Sequence, residues 1–465
     1  MKKVFGCVAL SFVLLALVSC VSNSGAKGAG KNLSYYESNA ADFSEATLSN
    51  GIPVVYKKNS SGKIYVLRLI IDGGTPLVPV NKSGLEDCTL DMLQYGSESY
   101  AYEEIQQLKY ERSFSITSNS GYDFSTYGFR CIEKYFDSAF DIFVDSLMHP
   151  LLSIDDFEKV KTEYAESVQR ALTDPSSLLG LTMRKEAFAG HPYESNPSVT
   201  KESLGSITLD DVKSHYKTLL NANRLKIVVV GDFSAITQDK MTEKLEAAFG
   251  SIAAQPYEKP QIPALSVKGR PVHVPLEQAG DSGYAFGYFV CPERNDSSAY
   301  IPFALASMYV DEALFSQVRE KNGAVYSAGT GIFGGKKLFG VISIYRASKA
   351  ENLQKLIYEA IDSFPDERGV QEQLDHFKNK YITALFSTAQ DSSGVAGNIV
   401  SSMQYYGDPK AYLLRTDRIQ AVTAAQVLTA YRKYFARDVL RAADGIVNPI
   451  RWVVVDKDGR FSFGK

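Results

Sequence analysis

Two carboxylates lie one helical turn apart in the stretch 84–97, between a Gly-Leu and a Gly-Ser dipeptide. Asp87 and Asp91 are four residues apart, so a helix here would place both side chains on one face. Such a pair could contribute to a Ca²⁺ or Mg²⁺ site, with Glu86 and Glu166 as further oxygen ligands. Charges at helical spacing are more commonly a solvated face, so the residues alone leave both interpretations open.

The five histidines follow no metal-binding or catalytic spacing. His149 and His191 each precede a proline, while His215, His273 and His376 are isolated from one another. We therefore predict that each is a surface or capping residue. A Gly-x-Ser-x-Gly elbow and a phosphate-binding glycine loop are absent from the sequence, and the Cys/His spacing suggests no thiol nucleophile.

The N-terminus has the pattern of an export signal. Residues 1–19 contain two lysines, an apolar run and a small residue, and Cys20 follows at once. The segment Leu17–Cys20 resembles a bacterial lipobox, and the apolar run is short for a membrane-spanning helix. We predict a signal peptide at 1–19, lipid on Cys20, a flexible tether at 20–32 and a location in the cell envelope, anchored to a membrane by the lipid.

The composition is that of an ordinary globular protein. Hydrophobic residues make up 45% of the chain, charged residues 22%, and the net charge is −3. Because there is neither a basic stripe nor an acidic tail, nucleic acid is not expected as a partner. Cys88, Cys131 and Cys291 form an odd, widely spaced set, which favours small buried hydrophobes over a disulfide framework.

The folded part is long enough for two domains, and its order of elements repeats. The Ser206–Tyr216 segment aligns with Ala421–Tyr431, and Phe157–Lys161 aligns with Leu374–Lys378 at nearly the same offset. A constant offset of about half the chain indicates duplication. We predict an N-terminal domain at 33–252, a linker with five prolines at 253–275 and a C-terminal domain at 276–465. The fold class is α+β, with two tandem homologous α/β-sandwich domains, each a mixed sheet packed by helices.

A set of short motifs occurs in a characteristic order along the first domain. Leu48–Ile52, Gly73-Gly74, Gly190–Tyr193 and Val228–Asp232 follow one another at spacings that resemble the pitrilysin/insulinase family of metallopeptidases. The resemblance implies the tandem-domain fold. It also implies pairing with a second two-domain chain of the family, so that the two enclose a clam-shaped chamber.

The family's inverted zinc motif, His-x-x-Glu-His, lies between the same Gly-Leu and Gly-Ser dipeptides. Two imidazoles one turn apart bind Zn²⁺, and the glutamate activates the bound water. Aligned on these flanks, Asp87 and Asp91 replace the histidines and Leu90 replaces the general base. The third ligand, a family glutamate, aligns with Ser167. The resemblance therefore implies a degenerate site without a catalytic residue or a bound metal.

The second domain retains a family signature in the stretch 314–327. Arg319 and Tyr326 match the arginine and tyrosine that the resemblance implies hold the substrate backbone near the zinc. A guanidinium and a phenol are suitable donors for peptide carbonyls. The alternative is that Arg319 pairs with a helix carboxylate and Tyr326 packs in the core.

These features predict a catalytically inactive lipoprotein that handles peptide or unfolded polypeptide as the non-catalytic subunit of a heterodimeric metallopeptidase. Zinc is then expected only in a zinc-bearing family homologue as partner. One rival is a lipid-anchored peptide-binding or scaffold protein of the envelope that has no enzymatic partner. Another is an independent hydrolase with unfamiliar chemistry.

Overall fold

The computed structural model describes residues 34–60, 62–440, 450–461 and 463. The predicted signal peptide, Cys20 and the tether lie outside these residues. Within the described part of the chain, no helix is long and apolar enough to cross a membrane.

The first sheet has six strands in the order β1-β2-β6-β3-β5-β4. The strands are β1 (Phe43–Thr47), β2 (Pro53–Lys58), β3 (Ile64–Asp72), β4 (Ser115–Asn119), β5 (Phe124–Ile132) and β6 (Leu225–Gly231). Strands β2 and β6 are parallel, and every other neighbouring pair is antiparallel. Strands β1 and β4 are therefore the two edges of this sheet.

The second sheet has five strands in the order β7-β11-β8-β10-β9. The strands are β7 (Val272–Pro275), β8 (Gly283–Val290), β9 (Val325–Gly334), β10 (Leu338–Ala347) and β11 (Arg451–Asp456). Strands β7 and β11 are parallel and the others antiparallel, so this sheet repeats the order and directions of the first without β1. The repeated topology confirms the predicted duplicated fold. Strand β7 takes up the last four residues of the predicted linker, where alternate residues Val272 and Val274 pack against the second sheet.

Helices cover both sheets. The first half contains α1 (Tyr35–Ala40), α2 (Leu85–Met92), α3 (Tyr102–Glu111), α4 (Phe136–Met148), α5 (Ile154–Thr173), α6 (Pro175–Ala187), α7 (Lys201–Leu204), α8 (Leu209–Leu219) and α9 (Gln238–Phe249). The second half contains α10 (Ser297–Leu314), α11 (Leu353–Asp362), α12 (Glu367–Thr388), α13 (Ser392–Tyr406), α14 (Arg415–Gln420), α15 (Ala424–Tyr434) and α16 (Arg437–Leu440). A π-helical segment, Phe315–Lys321, continues α10. Side-chain caps fix several starts, among them Ser153 for α5 and Thr208 for α8.

Each sheet is covered on one face by a helix from the other half of the chain. Helix α6 packs on β8 and β11, where Leu179 and Met183 join Tyr288 and Phe339 in one buried cluster. Helix α13 packs in the same way on β3 and β6. An ion pair of 2.6 Å between Arg451 on β11 and a carboxylate of α6 supports the first contact. This exchange holds the two domains together through apolar burial, the dominant stabilising term in folding.

Candidate functional site

Helix α2 carries the residues at the zinc-motif positions. Gly84 precedes its first residue, and the φ of +79° and close approach of Gly84 to Val199 leave no room for a side chain. The helix packs against α5, α8 and β4. Leu90 is fully buried and belongs to the core of the first domain. Where an active site would need a proton acceptor, this chain therefore has a packing residue.

Asp87 and Asp91 lie together with Tyr164 of α5, and we call these three residues the acidic site. The Tyr164 hydroxyl donates to Asp91 Oδ2 at 2.7 Å, and the Ser118 hydroxyl on β4 donates to Asp91 Oδ1 at 2.8 Å. Both oxygens of Asp91 are therefore engaged by neutral donors. The third side chain of the acidic site is thus a phenol, which is not a usual zinc ligand.

The two carboxyl groups share a desolvated position, and this changes their protonation. Burial and the charge of Asp91 raise the pKa of Asp87 to about 8, although a hydrogen bond from Tyr164 lowers it. Burial also raises the pKa of Asp91. A like charge nearby in a low-dielectric position favours the neutral form of a carboxyl group. The raised pKa of Asp87 therefore favours its protonated form at neutral pH.

Ser167, which alignment gave as the third ligand position, is exposed on α5. The side chain of α5 that faces the aspartates is that of Tyr164. Phe157 and Val160 are buried on α5, and Tyr164 continues the same stripe at helical spacing. This apolar stripe in the sequence could have indicated that Tyr164 faces α2. The family spacing pointed to Ser167 instead.

The four carboxylates considered for a hard cation do not converge. Glu86 is buried on another face of α2, where it accepts hydrogen bonds from Ser125 and from His215 Nε2 at 3.2 Å. Burial by itself raises the pKa of Glu86. The hydrogen bonds with His215 and Ser125 and the charges of His215 and Arg224 together outweigh burial, so the pKa of Glu86 is lowered. Glu166 is exposed. Among the described residues, no three His, Cys, Asp or Glu side chains are placed to hold a metal ion.

The histidines differ from the prediction at one position. His215 is buried against Glu86 rather than at the surface, because α8 packs on α2 and brings the two side chains together. His191 does cap a turn, since its ring accepts from the Tyr193 backbone N–H at 3.1 Å. His149 and His376 are exposed. The cysteines Cys88, Cys131 and Cys291 are free and buried, as predicted.

The second domain brings Arg319 and Tyr326 together at its surface. The guanidinium carbon of Arg319 lies 5.4 Å from the ring centre of Tyr326 and 4.9 Å from that of Phe315. We call these three residues the arginine stack. Tyr326 is 65% exposed and Phe315 is 38% exposed. In the described part of the chain Arg319 has no carboxylate partner, so neither half of the alternative interpretation describes this pair. No motif in the sequence singles out Phe315.

A change of helix type positions the stack. The chain passes from α10 into the π-helical segment, which contains both Phe315 and Arg319, and the Ala324 amide closes it onto the Val318 carbonyl at 3.0 Å. A π-helical turn holds more residues than an α-helical turn and is frequent at functional sites. The segment ends just before β9, on which Tyr326 is the second residue. The stack therefore presents guanidinium and phenol donors to solvent.

Comparison with known proteins places this geometry in a family. A model described as insulinase (peptidase family M16) matches residues 53–198, and one described as peptidase M16 inactive domain matches residues 206–380. The two matches run from the start of β2 into α12. The chain belongs to the insulinase family. It is an inactive member, because the positions of its zinc ligands and general base hold none of the residues that the chemistry requires.

Similar proteins cover most of the chain. The non-peptidase homolog YmxG of Helicobacter pylori is 24% identical over 398 residues, 83% of this chain and 82% of that protein. A probable mitochondrial-processing peptidase subunit beta of Arabidopsis thaliana is 19% identical over 427 residues, 87% of this chain and 78% of that one. The crystal structure of a peptidase M16 inactive domain from Pseudomonas fluorescens superposes with a TM-score of 0.74 at 20% identity, covering 89% of this chain and 97% of that chain.

Proposed function

We propose that this protein is the non-catalytic, substrate-handling subunit of a heterodimeric metallopeptidase of the envelope. The observation that carries the proposal is the contrast between the acidic site, which belongs to no set of three metal ligands among the described residues, and the exposed arginine stack. A guanidinium without a carboxylate partner keeps all of its donors for a ligand. Peptide carbonyls and carboxylates are the acceptors that suit such a fork.

The sheets offer a second feature suited to peptides. Strands β4 and β9 are edges of their sheets, so each has backbone N–H and C=O groups that no neighbouring strand occupies. Tyr326 lies on β9, and Ser118, which contacts Asp91, lies on β4. An extended peptide can add to such an edge through main-chain hydrogen bonds. Edge strands beside both candidate regions favour an extended polypeptide as the ligand.

The partner in this proposal is a family homologue that carries the intact zinc motif. One relative is described as a subunit of a processing peptidase, and another as a non-peptidase homolog. This chain would contribute half of the chamber without a zinc site of its own. Zinc would be bound only in the partner. Lipid on Cys20 would hold the pair at the membrane.

Native co-purification with metal analysis tests the proposal. Tagged protein is solubilised from its own membrane, and the co-purifying chains and zinc content are measured. We expect a second family chain with a His-x-x-Glu-His motif and about one zinc ion per pair. Recovery of this chain alone, without zinc, would contradict the heterodimer and favour the peptide-binding or scaffold function. A Cys20→Ser variant should appear in the soluble fraction if the lipid is the anchor.

A further inference from the structure

One face of the first sheet is only partly covered by a helix. Helix α13 packs on β3 and β6, and Val66 and Ile70 of β3 lie in the buried cluster beneath it. Directly paired residues of neighbouring strands point to the same side of a sheet, so this face continues across β5 onto the edge strand β4. There it includes Ser115, Thr117 and Asn119, which are all exposed. The β4 side of the face is therefore open to solvent.

Two arginines lie on the same face. Arg130 of β5 pairs with Ser115 of β4, and Arg68 of β3 pairs with Gly128, two residues before Arg130 on β5. The two arginines are therefore diagonal neighbours across the two strands. A Cβ atom on Gly128 would come within 3.0 Å of Arg68 Nη1, so the Arg68 guanidinium lies over β5, one strand from the edge. We call this surface, Arg68 and Arg130 with Ser115, Thr117 and Asn119, the basic face.

The charge of the basic face is not neutralised by ion pairs. In the part of the chain that the structure describes, neither Arg68 nor Arg130 forms an ion pair with a carboxylate. Arg68 donates from Nη1 to main-chain carbonyls of β3 and β5 at 3.2 and 3.4 Å. Burial and the charge of Arg130 lower the pKa of Arg68, and the charge of Asp391 only partly offsets them. Asp391 itself caps α13, where it accepts from the Gly394 amide at 2.7 Å. Two cations near one carboxylate leave this surface positive.

A segment that adds to the edge at β4 would come within reach of these cations. Neighbouring strands are about 4.8 Å apart, so the added strand would lie about 10 Å from β5. Ser115, Thr117 and Asn119 have short side chains, which leave the space above β4 open to longer ones. An acidic side chain of the added strand and an arginine side chain over β5 can therefore meet above β4. Alternate residues of an extended segment point to the same side, so several can do so together.

We propose that the basic face binds acidic polypeptide segments, in which Asp or Glu side chains of an extended segment paired with β4 form ion pairs with Arg68 and Arg130. Pairs between guanidinium and carboxylate are charge-assisted and can be bidentate, so they add a sequence preference to main-chain pairing. This preference rests on the proposed peptide-handling function and names the class of peptide. Arg68 and Arg130 contact side chains of the ligand, whereas Arg319 contacts its main chain.

Fluorescence anisotropy of the purified protein tests this preference with two labelled peptides of equal length. One peptide repeats Thr-Glu and the other repeats Thr-Gln, so that the acidic side chains of the extended peptide share one side. We expect the Thr-Glu peptide to bind about tenfold more tightly. The double variant Arg68→Gln/Arg130→Gln should abolish this difference and leave the affinity for the Thr-Gln peptide unchanged. The matched control Arg368→Gln/Arg432→Gln removes the same charge at exposed helix positions and should keep the difference.

Two further variants separate the possible outcomes. Arg130→Gln alone tests the same face if the double variant does not fold, and it should reduce the difference to about threefold. Arg319→Gln should weaken the binding of both peptides by the same factor, because it removes a contact to main chain. Equal affinity of the wild-type protein for the two peptides overturns the acidic preference while peptide handling stands. An undiminished difference in the folded double variant, or failing that in Arg130→Gln, overturns it as well. If neither peptide binds, the preference is overturned and peptide handling by this chain is contradicted too.

Discussion

The two domains share one sheet topology, yet they hold their candidate side chains in opposite ways. In the first domain, Asp87, Asp91 and Tyr164 face inward between helices and satisfy one another. In the second, Arg319 is held between Phe315 and Tyr326 at the surface and has no carboxylate partner among the described residues. The polar side chains of the acidic site pack inside the first domain, whereas the guanidinium donors of Arg319 point to solvent. Two domains with one sheet topology can thus bury one set of polar side chains and expose another.

The largest expected effect comes from introducing zinc ligands into the first domain. In the triple variant Asp87→His, Asp91→His and Tyr164→Glu, two imidazoles one turn apart would face a carboxylate from α5. We expect about one zinc ion per chain, measured by elemental analysis after dialysis, and none in the wild-type protein. Asp87→His alone is the control and should stay zinc-free. A folded triple variant without zinc would show that α5 does not face α2 as described.

The packing role of Leu90 predicts a large loss of stability. Leu90→Ala removes a fully buried side chain, so it should lower the free energy of unfolding by about 2–5 kcal/mol in urea denaturation. The control Leu151→Ala removes a side chain that is 52% exposed and should change it by about 0.5 kcal/mol or less. Equal effects of the two substitutions would contradict the assignment of Leu90 to the core.

The raised pKa of Asp87 predicts a dependence of stability on pH. The folded state raises the pKa of Asp87 from 3.8 to about 8, so between these values it holds a proton that the unfolded chain releases. Stability should therefore fall as pH rises through this window. Asp87→Asn should flatten the fall, whereas the exposed control Asp375→Asn should not. Denaturation at pH 5, 6.5 and 8 measures this, and identical slopes for Asp87→Asn and wild type would count against a raised pKa of Asp87.

The smallest expected effect concerns the ring under Arg319. Phe315→Ala removes one cation–π contact, commonly about 0.5–1 kcal/mol at exposed sites, so an unstructured peptide should bind about two- to fivefold more weakly. Fluorescence anisotropy measures the affinity in the purified complex. Tyr110→Ala, at a side chain that is 87% exposed in the first domain, is the control. No change in Phe315→Ala would remove this residue from the stack.

Local signals in the sequence predicted most of the fold. Helices α5, α8 and α15 begin and end as their caps and apolar stripes indicate. The apolar stripes of helices α6 and α13 are weaker. The Asp174-Pro175 dipeptide marks the end of α5. The same dipeptide also begins α6, with Asp174 as its N-cap and Pro175 as its first residue. Helix α13 contains two glycines, and each of these helices is stabilised by the other half of the chain. Contacts between residues far apart in the sequence produce no periodic pattern within a single helix.

The candidate site shows the same division. Flanking motifs located Asp87, Leu90 and Asp91 on α2, and the second signature located Arg319 and Tyr326. Tyr164 and the pairing of Glu86 with His215 depend on how α2, α5 and α8 pack, which residue spacing along one chain does not give. The position of Phe315 beside Arg319 depends on a π-helical turn, and no residue type predicts such a turn.

Activity of the complex with Arg319→Gln tests the substrate-handling role most directly. We expect kcat/KM for peptide cleavage to fall about 10- to 100-fold, the loss expected for charge-assisted hydrogen bonds to substrate. Zinc content and melting temperature should stay unchanged, because Arg319 is exposed and no zinc is proposed in this chain. Arg368→Gln, at an exposed arginine of α12, should cleave like the wild type. Unaltered cleavage in Arg319→Gln would contradict a substrate-handling role for this chain.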